Sequence, residues 1–508
     1  MIAVLDFGSQ YTHLITRRLR ELGTYAEIFP HDISTKDLPV NIKGIILSGG
    51  PASVYEKDSP SLKKEILESN IPILGICYGQ QLLAYLLGGK IIPAKSREYG
   101  KKVVKIKGGA LYKGLAKKET VWYSHGDTVK ELPQGFKSNA YSGNEIAGFE
   151  HQSSDKKIFA VQFHPEVAHT QNGSKILKNF LKISESKSNW KIEDQIKGLI
   201  KEIKDSIQNE HCLIGVSGGI DSLVASLLLH KAIGQKLYSV FIDTGLMRKN
   251  EAEDVERIYS KLNFKNFISI DAKNEFLSAL KEISDPEGKR KVIGHTFIRV
   301  FEKVASNLKK QKRIKFLAQG TIYPDRVESA STSKTSQKIK SHHNLTLPKK
   351  LNFQIIEPLR EFYKDEVRIL GKKLGVAPEF LNRHPFPGPG LAIRVLGEIT
   401  EDKLDLLREA DAIYIEELKK ARLLSKIWQA FAALIPVKTV GVMGDLRTYE
   451  YIISLRAVTS KDGMTADWAK IPLPILEKIS SRIINEVKGV NRVVYDITQK
   501  PPGTIEYE

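Results

Sequence analysis

The sequence predicts an α/β protein: two parallel-sheet α/β domains over residues 1–185 and 190–383, then a smaller α+β C-terminal domain over 384–508. Three observations carry that reading. Short apolar runs alternate with helical stretches twice along the chain, which is how strands covered on both faces of a parallel sheet appear. The polar stretch Ser184–Asn189 interrupts the alternation and reads as a linker. Beyond Phe380 the strict alternation lapses into runs of helices and strands, the habit of an α+β domain. The length of 508 residues suits such a plan, since domains average about 150 residues.

Composition excludes several classes. With 41% hydrophobic and 27% charged residues the chain is globular, and no apolar run reaches the ~18 residues of a membrane span. The N-terminal MIAVLDFG enters a strand pattern at once, without a basic leader or a small-residue cleavage site. Two distant cysteines, Cys77 and Cys212, make neither a disulfide framework nor a CxxC knuckle. A cytoplasmic, reducing location is therefore expected, with no membrane partner. The net charge of +19 is mostly lysine spread over many segments, densest from Lys309 to Lys315. A nucleic-acid binder would concentrate it with interleaved aromatics, so a solvated surface and anionic small substrates are expected instead.

In the first domain, Ile2–Phe7 reads as a strand and Tyr11–Leu22 as a helix ending at Gly23. Gly44–Leu47 is a buried strand running into Ser48-Gly49-Gly50-Pro51, Ser61–Glu68 a helix, and Pro72–Ile76 another strand. That strand delivers Gly75-Ile76-Cys77-Tyr78-Gly79-Gln80-Gln81 to a helix over Leu82–Leu87. Glycines two positions either side of a cysteine at a strand-to-helix turn are the pattern of a nucleophile elbow. A helix N-terminus also favours the thiolate. A matching base follows at the end of the apolar strand Ile158–Phe163, where His164-Pro165-Glu166 stand. Glu166 is placed to take the second ring N–H of His164, giving a Cys77–His164–Glu166 triad. Backbone amides of Gly49, Gly50 and Tyr78 are candidates for an oxyanion hole.

These residues carry a resemblance. LSGGP (Leu47–Pro51), GICYGQQ (Gly75–Gln81), WYSHGD (Trp122–Asp127) and FHPE (Phe163–Glu166) resemble, in order, the motifs of class I glutamine amidotransferases. The resemblance covers about the first 185 residues. It implies that glutamine is hydrolysed to glutamate and ammonia through a thioester on Cys77, with Gln81 and Asp127 near the bound glutamine.

After a helix over Ile192–Ile207, the second domain opens with CLIGVSGGIDS, Cys212–Ser222, followed by a helical run from Leu223. A strand turning through Ser217-Gly218-Gly219 into a helix presents backbone N–H groups and the positive end of the helix dipole to an anion. Ser217 and Ser222 add hydroxyls. Asp221, a carboxylate inside a phosphate cradle, implies a bridging cation such as Mg²⁺. The strand Leu237–Asp243 precedes the turn Thr244–Arg248; then come the helix Asp254–Leu262, the strand Phe267–Asp271, the helix Lys289–Ala305 and the strand Lys315–Gln319. Ser329–Lys350 is a long polar loop of the kind that forms a lid or stays unfolded. No GxxxxGK[ST] motif occurs. The segment Ser217–Leu223, with Ile220 inside it, instead resembles the pyrophosphate loop of the N-type ATP pyrophosphatases, which activate a carbonyl oxygen as its adenylate.

The third domain opens on the rigid Arg383–Gly390 turn. It continues with helices at Asp402–Ala421 and Ile427–Leu434 and strands at Thr439–Gly444, Ile452–Val458 and Arg492–Ile497. The closing Lys500-Pro501-Pro502-Gly503-Thr504-Ile505-Glu506 leaves two readings open, a docked functional tail and a plain surface tail.

Amidotransferase, pyrophosphatase, HPFPGPGLAIR (His384–Arg394) and KPPGTIE (Lys500–Glu506), in that order, resemble the glutamine-hydrolysing GMP synthetase family over essentially the whole chain. The resemblance implies that XMP, ATP and glutamine are the substrates, that Mg²⁺ accompanies ATP, and that the C-terminal domain forms a homodimer. It maps XMP contacts onto Arg299, Pro387, Gly388, Gln429, Arg492, Lys500, Ile505 and Glu506. It maps a lid closing over ATP onto Asp325, Glu328 and Lys340. The chain departs from the family pattern at Thr244, His295, Arg326 and Leu345-Thr346. A tRNA-modifying amidating or sulfur-transfer pyrophosphatase is the alternative, and it would need a cysteine at the ATP site. A catalytically silent nucleotide-binding protein is a further alternative, against which every triad and loop residue is present. Asparagine synthetases are excluded, since Ile2 stands where that class needs cysteine.

Overall fold

The structure, a computed structural model, describes residues 1–312, 314–325, 353–381, 384, 386–460 and 465–508. Glu328 and Lys340, the departures at Arg326, Leu345 and Thr346, and the polar loop Ser329–Lys350 lie outside the described residues. The described residues form two compact units, Met1–Lys191 and the chain from Ile192 onward.

The first unit is built on a nine-stranded sheet. Its strands are β1 (Ile2–Asp6), β2 (Ala26–Pro30), β3 (Gly44–Leu47), β4 (Ile73–Ile76), β5 (Lys90–Ile106), β6 (Lys118–Glu131), β7 (Phe136–Ser142), β8 (Glu145–His151) and β9 (Ile158–Val161). They lie in the order β2-β1-β3-β4-β9-β8-β7-β5-β6. From β2 to β9 the pairing is parallel, and β3, β4 and β9 are buried at every residue. The parallel pairing expected from the apolar runs holds through β9, and beyond it β8, β7, β5 and β6 add an antiparallel extension. β6 has one solvated face over part of its length: it alternates Val121 and Tyr123 inward with partly exposed neighbours. Hairpins allow that arrangement, whereas parallel crossovers need both faces covered.

β4 and β9 are adjacent and parallel, with Ile76 opposite Val161. The residues that follow them, Cys77 and Gln162-Phe163-His164, therefore emerge at the same end of the sheet. Open parallel sheets place their ligands at that end.

The second unit contains a five-stranded parallel sheet, β10 (His211–Val216), β11 (Leu237–Asp243), β12 (Phe267–Asp271), β13 (Ile314–Ala318) and β14 (Gln354–Ile356), in the order β12-β11-β10-β13-β14. The chain leaves β10 toward one side and later returns on the other, so the loop after β10 sits at the topological switch point. A third sheet follows: β15 (Gln429–Met443) pairs antiparallel with β16 (Leu446–Thr459), which also pairs with β17 (Asp467–Trp468) and, in parallel, with β18 (Val490–Asp496). The helices Glu401–Lys420 and Leu473–Glu486 accompany it.

The helix expected over Ile427–Leu434 is the start of β15. Its run Ala430–Leu434 is buried at every residue, so it shows no alternation, and buried strand and buried helix look alike in such a run. One apolar core, from Leu213 through Ile242, Leu391, Leu404 and Leu434 to Val490, serves both sheets of this unit.

Candidate active site

Cys77 occupies a strained turn. Its φ is +55°, in the left-handed region unusual for a side-chain-bearing residue. The helix Tyr78–Leu86 begins immediately after it. Its flanking glycines are sterically required. A Cβ on Gly79 would lie 2.6 Å from the Leu47 carbonyl oxygen, and one on Gly75 would lie 2.5 Å from that of Gly79. Gly50 is equally confined, with the Phe7 carbonyl oxygen 2.6 Å from its would-be Cβ. The amides of Gly49, Gly50 and Tyr78 make no protein hydrogen bond among the described residues. Cys77 itself is buried. Its Sγ reaches the Ser124 carbonyl at 3.5 Å and accepts from Gln162 Nε2 at 3.8 Å.

His164 donates from Nδ1 to Glu166 Oε1 at 2.7 Å, and the Cys77 side chain acts electrostatically on its ring. Its backbone is held by its amide on the Trp122 carbonyl and by Thr170 Oγ1 on its own carbonyl. Burial pulls the imidazole pKa down, but the Glu166 carboxylate and Cys77 beside it outweigh burial and hold it well above the ordinary histidine value. The neighbouring His125 goes the other way. Burial lowers it to about 4, and its Nδ1 donates to the Asp127 carbonyl at 2.6 Å. Of the two histidines only His164 is placed to carry a proton at neutral pH. Gln81 Nε2 donates to the Asp127 carbonyl at 3.0 Å, and the Asp127 carboxylate accepts from Ser53 Oγ at 2.5 Å and Tyr55 OH at 2.8 Å.

In the second unit, Gly218 has φ +74° and lies against Val255, whose Cγ2 is 2.6 Å from its would-be Cβ. Ser222 Oγ accepts from the Ser217 amide at 3.3 Å and donates to the Gly219 carbonyl at 3.0 Å. This bracing leaves the loop exposed at Ser217 and Gly219, ahead of the helix Ile220–Ile233. Leu223 differs from its neighbours in that stretch: its side chain is buried and its amide already donates to the Gly219 carbonyl. Gly320, after β13, closes on the same turn, with its would-be Cβ 3.3 Å from the Ser222 amide nitrogen.

Among the described residues no cluster of three or more His, Cys, Asp or Glu side chains could hold a metal. Mg²⁺ bound with nucleotide phosphates needs only one or two carboxylates. Asp221 fits that role, because its Oδ1 is buried and without a hydrogen-bond partner among the described residues. Its other oxygen accepts from Lys364 Nζ at 3.3 Å. Sequence reasoning missed Lys364, since 143 residues separate the two and no spacing rule links them. At the Thr244 departure, the hydroxyl accepts the Leu246 amide at 3.2 Å and caps the turn after β11. His295 is exposed on the helix Pro286–Lys312, and Asp325 accepts the Ile322 amide at 3.2 Å.

The C-terminal tail is docked. Arg394, fully buried between Phe431 and Phe386, clasps Glu506 through Nε at 3.0 Å and Nη2 at 2.9 Å. Gln429 Nε2 donates to the same carboxylate at 2.5 Å. Arg456 binds the carbonyls of Thr498, Thr504 and Ile505. Lys289, also buried, pairs with Glu508. Lys500 pairs through its backbone with Ala466. Pro387 and Gly388 lie in a loop packed on the turn after β11, where the Leu391 amide donates to the Leu246 carbonyl at 2.7 Å. The structure thus brings Gln429 and Glu506 together. Arg299 and Arg492 are exposed, and their guanidinium groups make no hydrogen bond or ion pair among the described residues. Sequence reasoning missed Arg456 and Lys289, whose partners lie far along the chain. It also missed Arg394, for which its place at the end of the HPFPGPGLAIR motif was an available signal.

Three family profiles match in series: "Glutamine amidotransferase class-I" over residues 3–183, "NAD synthase" over 191–406 and "GMP synthase C terminal domain" over 416–507. The chain is 54% identical over 513 residues to a protein of Thermosipho melanesiensis named GMP synthase [glutamine-hydrolyzing], covering 100% of this chain and 99% of that one. Proteins of the same name from Fusobacterium nucleatum and Thermotoga maritima are 52% and 50% identical, covering 100% of this chain and 99% and 100% of theirs. A solved structure of a glutamine amidotransferase from Thermotoga maritima is 23% identical, covering 36% of this chain and 81% of its own, with a TM-score of 0.28.

Proposed function

The chain belongs to the glutamine-hydrolysing GMP synthases, and from that premise we propose how its residues divide the work. The enzyme is a carbon–nitrogen ligase that takes its amide from glutamine and makes GMP from XMP and ATP. One observation carries the glutaminase half: a buried cysteine at positive φ beside a histidine whose other nitrogen is tied to a buried glutamate.

The Cys77 thiolate attacks the side-chain carbonyl carbon of glutamine. The amides of Gly49, Gly50 and Tyr78 receive the oxyanion, worth about 10²–10³-fold in rate per donor. His164 gives its proton to the departing nitrogen, so ammonia leaves and a glutamyl thioester remains. It then takes a proton from water, which cleaves the thioester to glutamate and restores the thiolate. Glu166 keeps the imidazole oriented and charged, and Gln81 and Asp127 shape the glutamine pocket.

In the second unit, Ser217–Leu223 hold the pyrophosphate portion of ATP while the O2 oxygen of XMP attacks the α-phosphorus and expels pyrophosphate. Ammonia then attacks C2 and expels AMP, leaving GMP. Mg²⁺, held by Asp221 together with the phosphates, would neutralise the charge of the leaving pyrophosphate. Lys364, on the same carboxylate, supplies a second positive charge. Gln429 and Glu506, with Pro387, Gly388, Lys500 and Ile505, receive the purine nucleotide, and the unengaged guanidinium groups of Arg299 and Arg492 suit its phosphate. Asp325, Glu328 and Lys340 form the lid.

The domains run 1–185, 190–383 and 384–508. The C-terminal domain makes a homodimer, a reading supported by the exposed apolar residues Val440, Val442 and Tyr449, which share one face of the β15–β16 hairpin. No helix of the described residues is long and apolar enough to cross a membrane. The sulfur-transfer alternative has nothing in its favour, because Cys212 is fully buried within β10, where burial pushes its thiol pKa up.

The test is to supply XMP, Mg-ATP and either glutamine or ammonium and to measure GMP. Cys77→Ala is expected to abolish the glutamine reaction and keep the ammonium one. Loss of both in a folded protein overturns the two-site division.

A further inference from the structure

We propose that Tyr11 is a positioning residue for His164, holding the imidazole plane in line with Cys77; the inference rests on the glutaminase reading above. The Tyr11 and His164 rings meet nearly edge-on, 5.0 Å between centroids at 71°. Among the described residues no other aromatic ring packs on His164. The remaining neighbours constrain its atoms one at a time. Glu166 fixes Nδ1, and Gly49 faces Cε1, which lies 3.1 Å from the point a Gly49 Cβ would occupy. Those contacts leave the ring free to rock about the Nδ1–Glu166 direction, and such rocking would carry Nε2 off the sulfur. A ring packed across the imidazole at van der Waals distance blocks that motion.

Tyr11 is itself well held. It caps the helix Thr12–Glu21, its amide donating to Ser9 Oγ at 3.0 Å and its carbonyl accepting from Leu14 and Ile15. The same helix grips the second member of the pair: Arg18 Nε donates to the Glu166 carbonyl at 3.1 Å. Tyr11 and Arg18 are seven residues apart, two helical turns, and so share a face. One helix therefore brackets both His164 and Glu166. Tyr11 is only partly buried although His164, Glu166 and Cys77 are all buried.

The experiment measures glutamine-dependent and ammonium-dependent GMP formation in the full chain for Tyr11→Phe, Tyr11→Leu and Tyr11→Ala. An unshifted thermal unfolding profile serves as the check that the elbow remains folded. With the ring gone, Leu and Ala variants are expected to lose about 10–100-fold in glutamine-dependent kcat, the scale of an ångström-sized misplacement. The KM for glutamine should stay within about threefold, the sign that ground-state binding is untouched. Tyr11→Phe should restore wild-type kcat, and ammonium-dependent activity should be unchanged in all three. Wild-type kcat in a folded Leu or Ala variant overturns the proposal. So does a Phe variant as poor as Ala, which would move the role to the hydroxyl, or a rise confined to KM. A wild-type enzyme that hydrolyses no glutamine would instead overturn the underlying glutaminase reading.

Discussion

His164 Nδ1 lies 2.7 Å from Glu166 Oε1, with the two residues 2% and 0% exposed. Burial alone would empty the imidazole of its second proton at neutral pH, and the carboxylate outweighs that cost. The raised pKa favours the folded state below the ordinary histidine value, and that contribution is lost as pH rises through the elevated one. Glu166→Gln leaves the burial and removes the charge. The imidazole then becomes neutral at pH 7, and the partnership with the Cys77 thiolate goes with it. Glutamine-dependent GMP formation should fall by about 10²-fold or more, and Cys77 alkylation at pH 7 should slow. Alkylation at the wild-type rate would show that Glu166 does not set the charge of His164.

The elbow makes a separate prediction. Gly79→Ala would drive a Cβ to 2.6 Å from the Leu47 carbonyl oxygen and 2.7 Å from Leu47 Cβ, in β3. Backbone in the middle of a sheet yields little, so a cost of about 1–3 kcal/mol is expected from overpacking. Thermal unfolding of the first unit should move down and the glutamine reaction should weaken, while ammonium-dependent synthesis holds. An unshifted melting profile would mean that the turn has room.

These two sites were legible in the sequence because their chemistry is local. Gly75-x-Cys77-x-Gly79 and His164-Pro165-Glu166 each carry their own spacing rule, and Ser217–Ser222 writes its turn in glycine and serine. What escaped was decided by partners far along the chain. β5 to β8 scatter polar and charged residues among their apolar ones, so they lack the continuous apolar runs that mark β3, β4 and β9. Alanines at 430, 432 and 433 favour a helix locally, yet their pairing with Ala457, Leu455 and Ser454 of β16 makes them strand. The helix Leu473–Glu486 hides behind Pro472 and Pro474 at its first turn, where proline is tolerated.

Lys364 is the instructive omission at the phosphate loop, and it leads to a third prediction. It shares the Asp221 carboxylate at 3.3 Å while remaining 43% exposed. An exposed ion pair adds little stability, which leaves a phosphate as the natural object of its charge. Lys364→Ala should therefore depress GMP formation from glutamine and from ammonium alike, by about tenfold or more for a charge-assisted hydrogen bond worth about 1.5–3 kcal/mol. The melting temperature should stay near wild type. Asp221→Ala should abolish synthesis from both nitrogen sources. A Lys364 variant that lost only the glutamine reaction would place its effect on the wrong unit.

Glu506 separates recognition from stability. Arg394 is fully buried and its charge is answered by that carboxylate. Glu506→Ala would leave the guanidinium unpaired between Phe386 and Phe431, at a cost of about 3–5 kcal/mol for breaking a buried pair. Glu506→Gln keeps the shape and one acceptor, and so costs less. If Glu506 also receives the purine nucleotide, the Gln variant should raise the KM for XMP by about tenfold or more, in line with the ~1–3 kcal/mol cost of an unmade buried hydrogen bond. The KM for glutamine should not move. Unfolding measurements and XMP titrations on both variants distinguish the roles. A Gln variant with wild-type XMP kinetics beside an unstable Ala variant would make Glu506 a counter-ion for Arg394 and nothing more.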